Sequence, residues 1–457
     1  MLCAMRHAPS FAALAVLGAI TLAGPARANG RFPASGQIIL HPNDPDVLLV
    51  RATYGLMLSQ DGGKTWGWIC EPAVGYGNVE DPAMAFMSDG TLLAGIFEGL
   101  SVGTPDGCQW GFAQGGLLDK YVIDLSVDKV DPTQAVLVVS NSVGQDDAGA
   151  PLFLTALWQT ADVGKTWTQA GVDLPDQFVG LTVDAAPSNV QRVYMSGRYG
   201  LASNPGVIER TDDRGATWQM FPVSGADATH LPYIGAVDPN DPDVVYVRLD
   251  ADTGADTLLV SRDGGMTWTT AYTAMGKLYG FALSPDGATV AIGGDMDGVL
   301  TAPSSTLAFT KVSSVGALCL TWGASGLFAC ANEYVDGFTA GVSTDEGKTW
   351  TPLMHLAGIC PLVCAEADSG VTQYCPAVWL STAFTINATC DLDAGGSPGA
   401  ASSSSGVASR GCACALPGSA GGAAGLALAG LSLASLASVT GLLAAIRAFR
   451  APRRRDR

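Results

Sequence analysis

Four aromatic side chains, Tyr121, Phe178, Tyr233 and Tyr279, each stand at the head of a short apolar run in a chain of 457 residues. Aromatics placed there stack on sugar rings or on a peptide, or else pack between neighbouring sheets. Three arginines, Arg51, Arg198 and Arg248, end apolar runs in the same way. Together they would form a basic patch for a carboxylate; singly, they would pair with Asp and Glu on a solvated rim. The 42 acidic residues supply abundant carboxylates, enough for a two-carboxylate glycosidase, but no pair is singled out by its setting. The histidines His7, His41, His230 and His355 are scattered. No H-x-x-x-H, Ser/His/Asp set or phosphate-binding Gly loop accompanies them. The acidic loops "DDAG" (146–149) and "DADTGAD" (250–256) offer oxygen ligands of the kind that hold Ca2+, without EF-hand spacing. Solvated loops are the better reading of both.

A repeat supplies the elements that must position these residues. "SQDGGKTW" (59–66), "TADVGKTW" (160–167), "TDDRGATW" (211–218), "SRDGGMTW" (261–268) and "STDEGKTW" (343–350) share S/T-x-D-x-G-x-T-W. Asp61, Asp162, Asp213, Asp263 and Asp345 can each accept bonds from the amides of their own turn. Gly63, Gly164, Gly215, Gly265 and Gly347 supply a positive φ. Trp66, Trp167, Trp218, Trp268 and Trp350 open the next strand as packing wedges. These aspartates are therefore structural. Degenerate copies, "TPDGCQW" (104–110) and "APSSTLAF" (302–309), add Trp110 and Phe309. The seven aromatic anchors are then spaced by 44, 57, 51, 50, 41 and 41 residues, one four-stranded blade each. Upstream of the turns, "LHPNDPDVLLV" and "VDPNDPDVVYV" read strand, turn, strand. The expectation is an all-β, seven-bladed β-propeller over 29–355. Six or eight blades stay open because two of the turns are degenerate.

The S/T-x-D-x-G-x-T-W motif is that of the Asp-box, or BNR repeat. With D-P-N-D-P-D-V it resembles the propellers of bacterial sialidases, photosystem II assembly factors, sortilin-type receptors and xyloglucan-cleaving endoglucanases. The resemblance implies a fold and little about function. Sialidases of this kind use an arginine triad, a Tyr with a Glu partner and an Asp, with an Arg-Ile-Pro-type motif on the first strand. Here Arg31-Phe32-Pro33 is the only approximation. The xyloglucan-cleaving enzymes use a cleft between two propellers, and this chain has room for one.

The two ends fix an address. Arg6, the apolar run "FAALAVLGAITLAG" and Ala26-Arg27-Ala28 make residues 1–28 a signal peptide, too short in its apolar run for a comfortable anchor. At the other end, the linker 394–411 leads into the tail 412–457. There an uncharged stretch, 420–446, is long enough for a transmembrane helix. Arg447, Arg450, Arg453, Arg454, Arg455 and Arg457 follow it, which leaves that terminus cytoplasmic. Gly411, Cys412 and Cys414, the apolar stretch and the arginines resemble, in that order, the MYXO-CTERM sorting signal of myxobacterial surface proteins. The resemblance implies export, transient inner-membrane retention, processing or lipidation near Cys412 by a sorting machinery, and display at the cell surface or outer membrane. A plain anchor with incidental cysteines is the alternative.

The net charge of -18 hides a sharper asymmetry. Between residues 29 and 446 there are 16 basic against 41 acidic residues, a balance near -25. Such a chain is soluble and a poor nucleic-acid partner. Apart from Cys412 and Cys414 of the tail, eight cysteines remain in that span. Cys319 and Cys330 flank a hairpin and should face each other. Cys70 and Cys108, at the last strands of the first two blades, would link those blades. Cys360, Cys364, Cys375 and Cys390 fall in a Cys-rich module, 356–393, with three pairings open. A zinc site competes there but lacks a C-x-x-C knuckle. Within the module "PAVWLSTAFTI" reads as a short helix. The functional expectation is an exported, non-enzymatic surface propeller that needs no cofactor and binds a protein or glycan through one face. The alternative is a secreted glycoside hydrolase, sialidase-like or glucan-cleaving.

Overall fold

The computed structural model describes residues 33–77, 80–200 and 205–390. The signal peptide, linker, Cys412 and the 420–446 stretch lie outside the described residues. Among the described residues no helix is long and apolar enough to cross a membrane.

Seven antiparallel sheets follow one another along the chain, each with its strands in sequence order, and make a seven-bladed propeller of four-stranded blades. Blade 1 comprises Ser35–Leu40, Leu48–Ala52, Gly55–Ser59 and Trp66–Ile69. Blades 2 to 7 occupy 83–112, 122–170, 178–222, 230–273, 280–313 and 319–354. Middle strands such as Gly55–Ser59 are buried along their whole length, because neighbouring blades cover both faces; hence their near-continuous apolar runs. Outer strands such as Gln219–Pro222 are mostly exposed. The core therefore lies between blades, as where Val136, Val138 and Leu157 meet Val183, Val193 and Met195.

The S/T-x-D-x-G-x-T-W segments form the turns between third and fourth strands. In the first, Asp61 Oδ1 accepts bonds from the Lys64 and Thr65 amides at 3.0 and 2.9 Å, and Oδ2 accepts from the Thr65 hydroxyl at 2.6 Å. Ser59 Oγ accepts from the Gly63 amide at 2.9 Å, with Gly63 at a φ of 84°. Equivalent Asp–Thr bonds recur at Asp162, Asp213, Asp263 and Asp345. The Trp66 indole donates to Gly63 O and, across the ring closure, to Leu353 O at 2.9 Å. In the degenerate sixth turn Phe309 replaces the indole and meets Tyr272 edge-on at 5.4 Å.

Closure is achieved without exchanging strands between the first and last blades. Thr321 Oγ1 donates to Ile38 O at 2.7 Å between the inner strands of blades 7 and 1. The chain then folds back, and Ile359–Pro361 adds a fifth, parallel strand to the outer edge of blade 1. The helix Gly370–Ile386, capped by the Ser369 hydroxyl on the Thr372 amide, packs Trp379 against Trp68.

This return path changes the expected disulfide pattern. Cys319 pairs with Cys330 across the hairpin, as their spacing suggested. Cys70 and Cys108 do not join blades 1 and 2 to each other; Cys70 pairs with Cys375 and Cys108 with Cys364. Nor do the four module cysteines pair among themselves, since only Cys360–Cys390 lies within the module. The module lies against blades 1 and 2, which brings Cys364 and Cys375 within 5.7 and 5.2 Å (Cα–Cα) of partners some 250 to 300 positions earlier.

Candidate functional site

Strand direction sorts the loops onto two faces. The D-P-N-D-P-D and S/T-x-D-x-G-x-T-W turns share the lower face; the connections between blades, and the loops between second and third strands, share the upper one. On the lower face, Arg192 is held by Asp212 and Asp243, and Arg214 spans Val190 O, Gln159 and Gln134. These contacts staple adjacent blades. The turn carboxylates are held low by the same bonds that close the turns. For Asp345 the Thr349 amide and hydroxyl bring it to about 2. At Asp61 burial pushes upward and is outweighed by bonds from Thr65 and Ser59. Bonded this way, none of the five is presented for proton transfer.

The upper face holds the aromatic and arginine side chains singled out by the sequence, and it separates them into two places. At blades 1 and 2, Arg51 pairs with Asp81 at 3.2 Å. Tyr121 stacks on Phe97 at 4.1 Å, with ring planes 20° apart. Phe97 donates its amide to Glu80 at 3.3 Å. Burial, with Glu98 and Glu71 nearby, pushes the Glu80 carboxyl up to about 7.

At blades 4 to 6 the Arg248 guanidinium lies 5.3 Å from the Tyr233 ring centroid. It donates to Leu278 O at 2.5 Å and stands 3.7 Å from Asp256 and 3.9 Å from Asp250. Asp256 is fully buried; it accepts bonds from the Ala251 and Leu278 amides and pairs with Lys277 at 3.1 Å. Lys277 also reaches Asp250 at 3.2 Å. Here the "DADTGAD" loop is pinned by lysine and arginine. Among the described residues no group of three or more His, Cys, Asp or Glu is arranged to hold a metal ion. In "DDAG", Asp146 accepts from the Ala148 and Ala150 amides and so closes its own hairpin.

Burial raises the Tyr233 hydroxyl's pKa; Asp250 adds to this, and Arg248 and Arg198 oppose it. Arg198 keeps its Nε buried without a hydrogen-bond partner. Phe178 is fully buried against Tyr199 between blades 3 and 4, so it packs and cannot stack on a ligand. Tyr279 is 47% exposed and is the one of the four aromatics with an open ring.

Further exposed apolar side chains on the upper-face loops follow no period. Met275 (62% exposed) shares the Tyr279 loop, Met296 (58%) stands on the second-to-third-strand loop of blade 6, and Tyr334 and Val335 stand on that of blade 7. Asp297 accepts the Met275 amide and the Tyr272 hydroxyl, which ties the Met275 and Met296 loops together, and Asp336 accepts the Gly316 amide, which ties the blade 7 loop to the connection between blades 6 and 7. Asp295 lies near Tyr279, while Glu333 and Asp336 belong to the blade 7 loop that carries Tyr334 and Val335. The only sequence signal of these side chains is large apolar residues inside the polar loops "GDMDG" and "NEYVDG".

The channel wall carries a second polar system. Asp124 on the inner strand of blade 3 accepts the Val183 amide of blade 4 at 2.9 Å. Asp184 of blade 4 accepts Ser126 Oγ of blade 3 at 2.7 Å and the Val237 amide of blade 5 at 3.1 Å. Burial pushes Asp124 up to about 7, with Asp184 adding to the rise. Both carboxylates are committed to joining inner strands.

No protein-family model and no curated protein matches the chain. Solved structures do. An ancestral GH74 enzyme aligns over 70% of this chain and 46% of its own, at 13% identity and a TM-score of 0.52. The GH74 enzyme of Niastella koreensis aligns over 70% of this chain and 65% of its own, at 14% identity and a TM-score of 0.40. YCF48 bound to D1 peptide aligns over 51% and 66%, at 17% identity and a TM-score of 0.33. The chain spans less than two thirds of the GH74 enzymes it matches. At these identities the likeness concerns the propeller fold alone.

Proposed function

We propose that the protein is an exported Asp-box propeller, displayed at the cell surface through a MYXO-CTERM-like tail, that works without catalysis by holding a polypeptide on its upper face. The observation carrying this reading is the exposed group Met275, Tyr279 and Met296 on two adjoining loops beside Asp295, with Tyr334 and Val335 exposed on the corresponding loop of the next blade. Flexible thioethers beside open aromatic rings make an adaptable apolar anchor. The Asp and Glu of these loops select a partner of opposite charge. Four disulfides among the described residues fit an oxidising compartment. Chemical cross-linking on intact cells, followed by identification of the linked polypeptide, tests the reading. The same partner should be lost from a Tyr279→Ala/Met296→Ser protein that still reaches the surface. Equal recovery from both proteins would refute it.

One observation favours glycoside hydrolysis as a second reading. Glu80, held near 7, is poised as a general acid, and it lies beside the Phe97–Tyr121 stack on which a sugar ring could rest. Turnover of any fluorogenic glycoside, abolished by Glu80→Gln, would establish this reading in place of the first.

A further inference from the structure

The helix Gly370–Ile386 contains no charged residue in 17 positions, although it belongs to a chain of net charge -18. One side is fixed to the propeller through Val371, Cys375, Trp379 and Ile386, all buried. The opposite side presents Leu380 (76% exposed) and Phe384 (86% exposed) one turn apart, with Tyr374 at 52%. Val363, 79% exposed, stands on the segment leading into the helix. A helix that groups large apolar side chains on one exposed side presents a contact surface, although Gln373, Ser381 and Thr385 are exposed as well. Nothing among the described residues covers this one. The upper-face cluster differs, because carboxylates interleave it.

The chain itself supplies an occupant of matching chemistry. It leaves the helix at Asn387 and is held at Cys390 by Cys360. A Gly/Ser/Ala-rich stretch, 391–419, follows, and then come the uncharged residues 420–446 and six arginines. A Gly/Ser-type chain of that length spans an r.m.s. distance of about 30 Å, comparable with the helix length of about 25 Å. The local concentration of 420–446 at the helix is then on the order of millimolar. The arginines beyond residue 446 are opposite in charge to the exposed Glu366 and Asp368 just before the helix.

From this match of tether, apolarity and charge, we propose that residues 420–446 dock on the Leu380–Phe384 face while the protein is in water. The contact shields the uncharged stretch until it reaches a bilayer, and leaves the helix face open once that stretch departs. The inference is independent of what the upper face binds.

The test uses the full chain, purified without detergent, with photoreactive benzoylphenylalanine installed at position 384. Irradiation should yield intrachain adducts within 420–446, at a yield unchanged over a tenfold range of protein concentration. The same probe at position 335 on the upper face should yield none there. Adducts only to a second copy, only to added phosphatidylglycerol vesicles, or to nothing would overturn the proposal. In a Leu380→Ser/Phe384→Ser chain, amide exchange across 420–446 should quicken at least tenfold while the blades keep their protection. Unchanged exchange in that segment would also overturn it.

Discussion

Trp68 and Trp379 meet at 5.2 Å with their rings tilted by 48°, joining the outer strand of blade 1 to a helix more than 300 residues later. Beside them Cys70 and Cys375 are bonded, and the Trp68 indole donates to Tyr54 O at 2.6 Å. Together with the strand Ile359–Pro361, this contact holds the propeller closed from outside its edge. Removing the Trp379 side chain should leave a cavity on blade 1 and cost about 3–5 kcal/mol. Denaturant unfolding of Trp379→Ala checks this. A loss below about 1 kcal/mol would mean that the helix does not support the ring.

The disulfides Cys70–Cys375 and Cys108–Cys364 tie the same module to two blades. Replacing both pairs by Ser should cost about 2–4 kcal/mol for each pair. It should also release 356–390 to limited proteolysis before the blades are cut. Simultaneous digestion of the blades would show that the strap is part of their cooperative unit.

Blade number and turn positions are legible in the sequence because each S/T-x-D-x-G-x-T-W turn is a self-contained hydrogen-bonded unit. Asp61 and Thr65 find each other within five residues, so their spacing is conserved by local geometry. The Cys319–Cys330 bond is local in the same sense. The other three disulfides depend on the direction in which the chain returns after blade 7, and no local pattern encodes it. Arg51 and Arg198 lie near the ends of second strands and Arg248 in the middle of one; Asp250 shares that strand, but Asp81 and Asp256 come from separate loops that no local pattern links to the arginines. Phe178 shows the limit of periodicity: the head of an inner strand can face a neighbouring blade as easily as the opening. Met275, Met296 and Val335 escaped notice because they interrupt polar loops and follow no period.

A turn aspartate should matter for stability and not for binding. Asp263 accepts the Thr267 amide at 2.8 Å and its hydroxyl at 2.6 Å. Asp263→Ala should cost about 1–2 kcal/mol, as the loss of a comparable capping carboxylate does. Capture of the surface partner should be unchanged at temperatures where the variant is folded. Lost capture there would move function to the lower face.

Two groups of carboxylates should give stability opposite dependences on pH. The turn aspartates have folded pKa values below their unfolded ones, so their contribution is present above about pH 4 and is lost as pH falls through the lowered folded values, near 2 for Asp345. Asp124 is the reverse case. Its folded pKa is raised to about 7 by burial, so its protonated form favours the fold. That contribution is complete below about pH 4 and is lost as pH rises through 7. Glu80, also raised to about 7, adds to the same slope. The melting temperature should therefore peak near pH 4 and fall toward pH 7. Asp124→Asn keeps an acceptor for the Val183 amide and removes the charge, so it should flatten the fall between pH 4 and 7 while leaving the acid limb intact. Thermal unfolding of both proteins at half-unit pH steps measures this. Parallel curves above pH 4 would show that Asp124 is already ionised across that range, and that the channel wall tolerates its charge.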